Sequence, residues 1–230
     1  MKKIFLILLL LLGYTQNLYS SEAYEFTKDA INIFGSINEA SEGFEKAPIN
    51  SENMPVMLSS LLKNSIKMKN IADDGIYTMK KYEKSRDSEI VSAVSIFSGA
   101  LTIMKITQER SAQIFEKYLN NIKVIDKNFG TMQKEMLENS NEQEKQWETM
   151  NTGAIGISYG IVDLNRLENG KTCCLKISNQ ERSDLKKLLI RNFGIKITDG
   201  IDKNNMKRRI GAAGIYMFLN DNNWKSKDQK

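Results

Sequence analysis

The side chains that could do chemistry in this chain are few. Cys173 and Cys174 are its only cysteines, they are adjacent, and histidine is absent altogether. Without histidine, Ser–His and Cys–His nucleophilic catalysis and every histidine-based zinc site are excluded. Neighbouring cysteines strain a bond between themselves, and their spacing suits neither a redox pair nor a zinc knuckle. In an oxidising compartment they predict either a bond between chains, giving a linked homodimer, or two reduced, packed thiols.

Three other motifs can be weighed. Gly170-Lys171-Thr172 has the ending of a phosphate-binding loop, but Asn165 stands where the pattern needs its first glycine, and a helical pattern precedes it. Asp199, Asp202 and Asn204 lack the alternating oxygens, central glycine and final glutamate of a calcium loop. Glu109 lies beside Gln108 and Ser111, where a cell-wall glycosidase would need a second acid across a cleft. Followed by Arg110, it reads instead as a solvated surface charge. No catalytic residue, metal ligand or cofactor is assigned.

Charge offers more. Residues 21–171 carry 18 Lys+Arg against 22 Asp+Glu, whereas residues 172–230 carry 13 against 6. An acidic body therefore precedes a basic end, with Lys207, Arg208 and Arg209 as its densest run. Such a run is either a solvated face or a dock for an acidic partner or anionic envelope surface. Nucleic acid is not an expected partner, because no basic, aromatic-rich strand pattern accompanies the charge.

The elements that must position these groups are helical. In residues 90–136, steps of four and three pick out Ile90, Val94, Phe97, Leu101 and Met104, then Phe115, Tyr118, Ile122, Ile125, Phe129, Met132 and Met136. Only Gln108 and Ser111 interrupt the row, as a register pin, a wet notch or a polar pocket. The spacing predicts one continuous amphipathic rod, roughly 70 Å long if straight. Its apolar face is too wide for a two-stranded seam and calls for at least two covering helices. Residues 90–104 carry no charge; they fall short of the roughly 20 apolar residues of a membrane span and read as core helix. The alternative is a segment that inserts later, as in helical pore-formers.

Phe26, Ala30, Ile33, Ile37, Ala40 and Phe44 predict a first helix, ending before Pro48, and residues 56–84 a second. Residues 138–148 are polar nearly all round, so the rod is expected to break near 139–141 or run on as an exposed turn-over. A fourth helix should then fold back against the third, with Gly153, Gly156 and Gly160 admitting close backbone approach. Ser178 and Glu181 have capping-box spacing, so a helix is expected over 179–192 with Gly194 as its stop. Residues 174–177 and 195–198 could pair as short extended pieces. A last helix is expected over 202–219, followed by a frayed polar tail in which Trp224 is isolated.

Lys2 and Lys3 followed by an apolar run at 4–12 and small residues Ser20, Ser21 and Ala23 have the layout of a cleavable export signal, the alternative being an uncleaved anchor. No cysteine follows that run, so a lipoprotein anchor is not indicated. The expected organisation is a signal peptide at 1–20, a helical bundle at 21–170 and a basic C-terminal helical subdomain with tail at 171–230. The expected class is all-α: an elongated antiparallel helical bundle built on one long central helix. The expected protein is exported, periplasmic or secreted, and non-enzymatic: a binding, structural or adaptor protein of the cell envelope or a secretion apparatus. The alternatives are a membrane-inserting pore-former and a helical cell-wall enzyme.

Overall fold

The computed structural model describes residues 20–45, 54–169, 174–194 and 206–229. Among the described residues, seven helices pack together and there is no β-strand. They are α1 (Glu22–Glu45), α2 (Met54–Met79, extended by a 3-10 turn at Lys80–Tyr82), α3 (Ser88–Asn120), α4 (Ile122–Ile161), α5 (Leu164–Glu168), α6 (Asn179–Phe193) and α7 (Met206–Asn220).

The central rod is shorter than its stripe implies. Asp87 caps α3, its carboxylate accepting from the N–H groups of Glu89 and Ile90, and the helix ends at Asn120. Asn121 leaves helical geometry (φ −120°, ψ 33°). Its side-chain amide donates to the Lys117 carbonyl at 2.8 Å, the local competition by which asparagine opens a helix. The apolar row continues in phase on both sides of this one-residue break, so its rhythm does not betray the break. Met132 and Met136 thus belong to the returning helix. Of the two alternatives for residues 138–148, a break near 139–141 is absent and the helix runs on: α4 continues unbroken through the polar stretch, where neither glycine nor proline interrupts it.

From Met132 onward α4 runs antiparallel to α3. Lys117 pairs with Glu135 at 2.7 Å, Arg110 with Glu142 at 2.6 Å, and Gln108 with Gln146 at 3.3 Å. Further along, the expected close approach is present. A Cβ on Gly153 would lie 2.9 Å from the Ala100 side chain, and one on Gly160 would lie 2.6 Å from the Phe26 ring. On the other flank α2 is antiparallel to α3, fixed by Lys105–Asp73 at 2.5 Å and Lys69–Glu109 at 3.1 Å. Helix α1 lies across the three, with Phe34 stacked on Phe97 at 5.2 Å and Phe26 edge-on to Tyr82 at 5.4 Å.

The main core joins α1–α4 to Ile177, Leu185, Leu189, Ala212, Ile215 and Leu219, so the C-terminal helices share one apolar cluster with the rest. Burial of each large side chain such as Phe26, Phe97, Leu101 or Met104 contributes about 1.5–3 kcal/mol. A second, smaller cluster of Met57, Leu58, Phe115, Tyr118 and Met132 closes the far end.

Candidate functional site

The chain's basic end is organised by two charged residues of α6. Ser178 opens that helix with the expected capping box, its hydroxyl accepting from the Glu181 N–H at 3.2 Å while Glu181 accepts from the Ser178 N–H at 2.6 Å. The other Glu181 oxygen accepts from the Ser21 N–H at 2.6 Å, and Lys227 Nζ lies 3.3 Å from the oxygen that Ser178 engages. One carboxylate therefore joins the start of α1, the start of α6 and the tail. Burial by itself would raise its pKa; the Ser178 and Ser21 donors outweigh burial and hold it below the ordinary range.

Arg182 follows in the same apolar row as Leu185 and Leu189, and it is buried. Its guanidinium donates to the carbonyls of Leu219, Asp221 and Trp224. The end of a helix leaves such carbonyls open, so Arg182 closes α7 and the turn after it from the neighbouring helix. Burial lowers the Arg182 pKa, and the Asp221 carboxylate acts against that shift.

The tail is therefore not frayed. Trp224 packs on Phe218, ring centroids 4.8 Å apart, Ser226 is buried, and the Lys227 N–H donates to the Ile177 carbonyl at 2.9 Å. Residues 174–177 pair with this tail and with the end of α4: the Leu175 N–H donates to Lys225 and the Lys176 N–H to Ile161. Residues 195–198, the expected partner, lie outside the described residues. Lys176 Nζ also reaches Asp87 at 2.6 Å and Glu89 at 3.1 Å, pinning this segment to the cap of α3. Burial opposes ionisation of Glu89, yet hydrogen bonds within that cluster and the Lys176 charge lower its pKa to about 2.

Beside the tail lies an open cleft of about 390 Å³. Arg182, Lys186 and Lys225 bring charge to it; Asn179, Ser183, Asn222 and Gln229 bring hydrogen-bonding groups; Trp224 forms one wall. None of these side chains is a carboxylate. Asp228, at its edge, is engaged by the Asn179 N–H, 3.1 Å from each oxygen. Among the described residues, Lys186 donates to the neutral Asn220 amide oxygen, at 3.3 Å. Amines, amides and an indole around an open cleft can hold an anionic or hydroxyl-bearing group by charge and hydrogen bonds.

A second polar constellation lies between the two apolar clusters. Gln108 Nε2 donates to Gln146 Oε1, and the Ser111 hydroxyl accepts from Asn139 at 2.9 Å and Gln143 at 3.3 Å while donating to the Thr107 carbonyl. The pairs Lys69–Glu109 and Lys67–Glu39 bring buried Ser65 of α2 and Ser41 of α1 to the same height. Among the described residues, Gln108 Oε1, Asn139 Oδ1, Gln146 Nε2 and the Ser65 hydroxyl have no hydrogen-bond partner there. Glu109 is not drawn into this layer, because its carboxylate turns to Lys69.

Among the other residues singled out from sequence, Cys174 is buried and Cys173 lies outside the described residues. Lys207, Arg208 and Arg209 stand in the first turn of α7, and their side chains also lie outside the described residues. Arg182, Lys186 and Lys225 were not singled out. Arg182 carried a signal: an arginine three and seven residues before two inward leucines occupies an apolar position. Lys225 carried none, since the turn that brings it to α6 depends on Arg182. No protein-family model matches this chain, and no curated protein or solved structure is significantly similar to it.

Proposed function

We propose that the chain is an exported, non-enzymatic binding or adaptor protein of the cell envelope or a secretion apparatus, built as an elongated antiparallel bundle whose basic C-terminal end takes an acidic partner. The observation that carries this reading is the cleft in which Arg182, Lys186 and Lys225 meet without a carboxylate in its walls. The excess of basic over acidic residues after residue 171 supports it. The test is retention of partners from an envelope extract, with and without reductant. The wild type is compared with Lys186→Glu/Lys225→Glu and with a chain neutralised at Lys207, Arg208 and Arg209. Retention lost with either basic set, and weakened by salt, supports the reading; retention unchanged in both overturns it.

A second reading, membrane insertion, is favoured by one observation. Helix α3 is long and apolar enough to cross a membrane, and less than half of its most apolar window is buried. It predicts leakage of lipid vesicles and protection of residues 90–104 from protease in their presence. Intact vesicles would remove it.

A further inference from the structure

Arg182 is a cation only 8% exposed, and among the described residues no carboxylate forms an ion pair with it. Its bonds go to carbonyls alone: Nε donates to Leu219, and the two terminal nitrogens to Trp224 and Asp221. Each nitrogen thereby uses one hydrogen, and each terminal nitrogen carries a second. The Asp221 carboxylate acts on Arg182 through its charge, but its Oδ1 accepts from the Asn223 N–H at 2.9 Å. The carbonyls at the end of α7 form the negative pole of that helix and offset part of the cost of burial. They do not supply a full counter-charge. The same guanidinium lines the open cleft beside the tail, where Lys186 and Lys225 add two more positive charges.

We infer that this cleft is a phosphate site, an inference that rests on the reading of the basic end as a dock and names the group it takes. Three cations line the cleft and no carboxylate does. A carboxylate ligand would answer one of those charges. A phosphate monoester, at about −1.5 to −2 near pH 7, answers most of them and offers three oxygens. A guanidinium and ammonium groups are the side chains that hold such oxygens by charge-assisted hydrogen bonds. Asn179, Ser183, Asn222 and Gln229 add neutral donors around them. The start of α6 contributes its positive pole, and an oxyanion already uses it: the Asn179 N–H donates to the Asp228 carboxylate at the cleft's edge. Trp224, fixed against Phe218, makes the wall firm. Because the cleft is open, the phosphate can belong to a larger molecule whose body stays outside.

The experiment is an NMR titration of the purified full-length chain with inorganic phosphate, at an ionic strength held constant with chloride. Saturable shifts are expected at the Trp224 indole and at the amides of Asn179, Ser183 and Gln229, with acetate binding at least tenfold more weakly. Lys186→Gln/Lys225→Gln should weaken phosphate binding at least tenfold with helicity unchanged. Lys134→Gln/Lys145→Gln, which removes the same charge from exposed sites on α4, should leave it intact. No saturable shift in the wild type overturns the proposal, and that readout needs no variant. Acetate binding as tightly as phosphate overturns it, as does equal weakening by both lysine pairs, which would make the effect one of net charge. Co-sedimentation with phosphatidic acid vesicles, lost in Lys186→Gln/Lys225→Gln, would identify a lipid headgroup as the source; phosphate binding without co-sedimentation would identify a soluble phosphate. If phosphate fails to bind while Lys186→Glu/Lys225→Glu still loses its partner from the envelope extract, this inference falls and the proposed function stands. Retention unchanged in the extract removes the reading beneath it.

Discussion

Gln108 and Gln146 meet at 3.3 Å across the α3–α4 seam, 38 residues apart in the chain, and among the described residues each leaves half of its amide unpaired. They stand where the main apolar cluster gives way to the smaller one around Phe115, Tyr118 and Met132. A buried polar pair at such a boundary fixes the register of two long helices, because a shift of one turn would break the pair and set one of its amides against an apolar side chain, Met150 or Met104 according to direction.

The pair should therefore behave non-additively. Gln108→Leu alone removes one partner and leaves the Gln146 amide buried and unmatched, for a loss of about 1–3 kcal/mol. Gln108→Leu/Gln146→Leu removes both, and most of that loss should return. Urea unfolding of the two single variants and the double variant measures this. Single losses that simply add in the double variant would contradict it.

Gly160 and Gly214 should respond to alanine with opposite signs. A Cβ at Gly160 would meet the Phe26 ring at 2.6 Å, and that ring is held edge-on to Tyr82. Gly160→Ala should destabilise by about 1–3 kcal/mol through overpacking. Nothing lies within 4 Å of a Cβ at Gly214, in α7, so Gly214→Ala should stabilise by roughly 0.5–1 kcal/mol through helix propensity. Thermal midpoints moving the same way in both variants would show that the α4–α1 contact is looser than described.

Arg182 should be irreplaceable by lysine. Its fork reaches three carbonyls at once, and an ammonium cannot reproduce that geometry. Arg182→Lys should speed amide exchange at residues 219–227 while leaving α3 protected, with a stability loss of about 2 kcal/mol or more. Hydrogen-exchange mass spectrometry reads the contrast. Equal protection of the tail in variant and wild type would remove Arg182 from its proposed place.

Stability should fall in acid through Glu89 and Glu181, both held below the ordinary carboxylate pKa. A carboxylate depressed in the folded state contributes fully above its unfolded pKa, near 4.5, and that contribution is lost as pH falls through its folded value. For Glu89 the loss should run from about pH 4.5 down to about 2. The stability difference between wild type and Glu89→Gln should be constant above that window and shrink within it. A difference that grew on acidification would carry the wrong sign.

What the sequence determined by itself was local. The Ser178–Glu181 box, Gly194 as a stop (φ 75°) and the glycines that let α4 approach α3 all rest on contacts within one helical turn or one helix face. The members of the polar layer on α3, Gln108 and Ser111, could be read as gaps in an apolar row for the same reason. Asn121 could not be located as a break, because a stripe spaced by four and three residues keeps its phase across a single non-helical residue. The tail could not be read as anchored either: Arg182 reaches residues 37–42 positions away, and no periodicity links groups so far apart. Tertiary structure alone decided that Trp224 rests on Phe218, that Lys225 joins Arg182 and Lys186 around one cleft, and that Ile96, Ile103 and Ile106 face outward. A helix with two apolar rows says only that both need cover, and the neighbours that pack on one row leave the other bare.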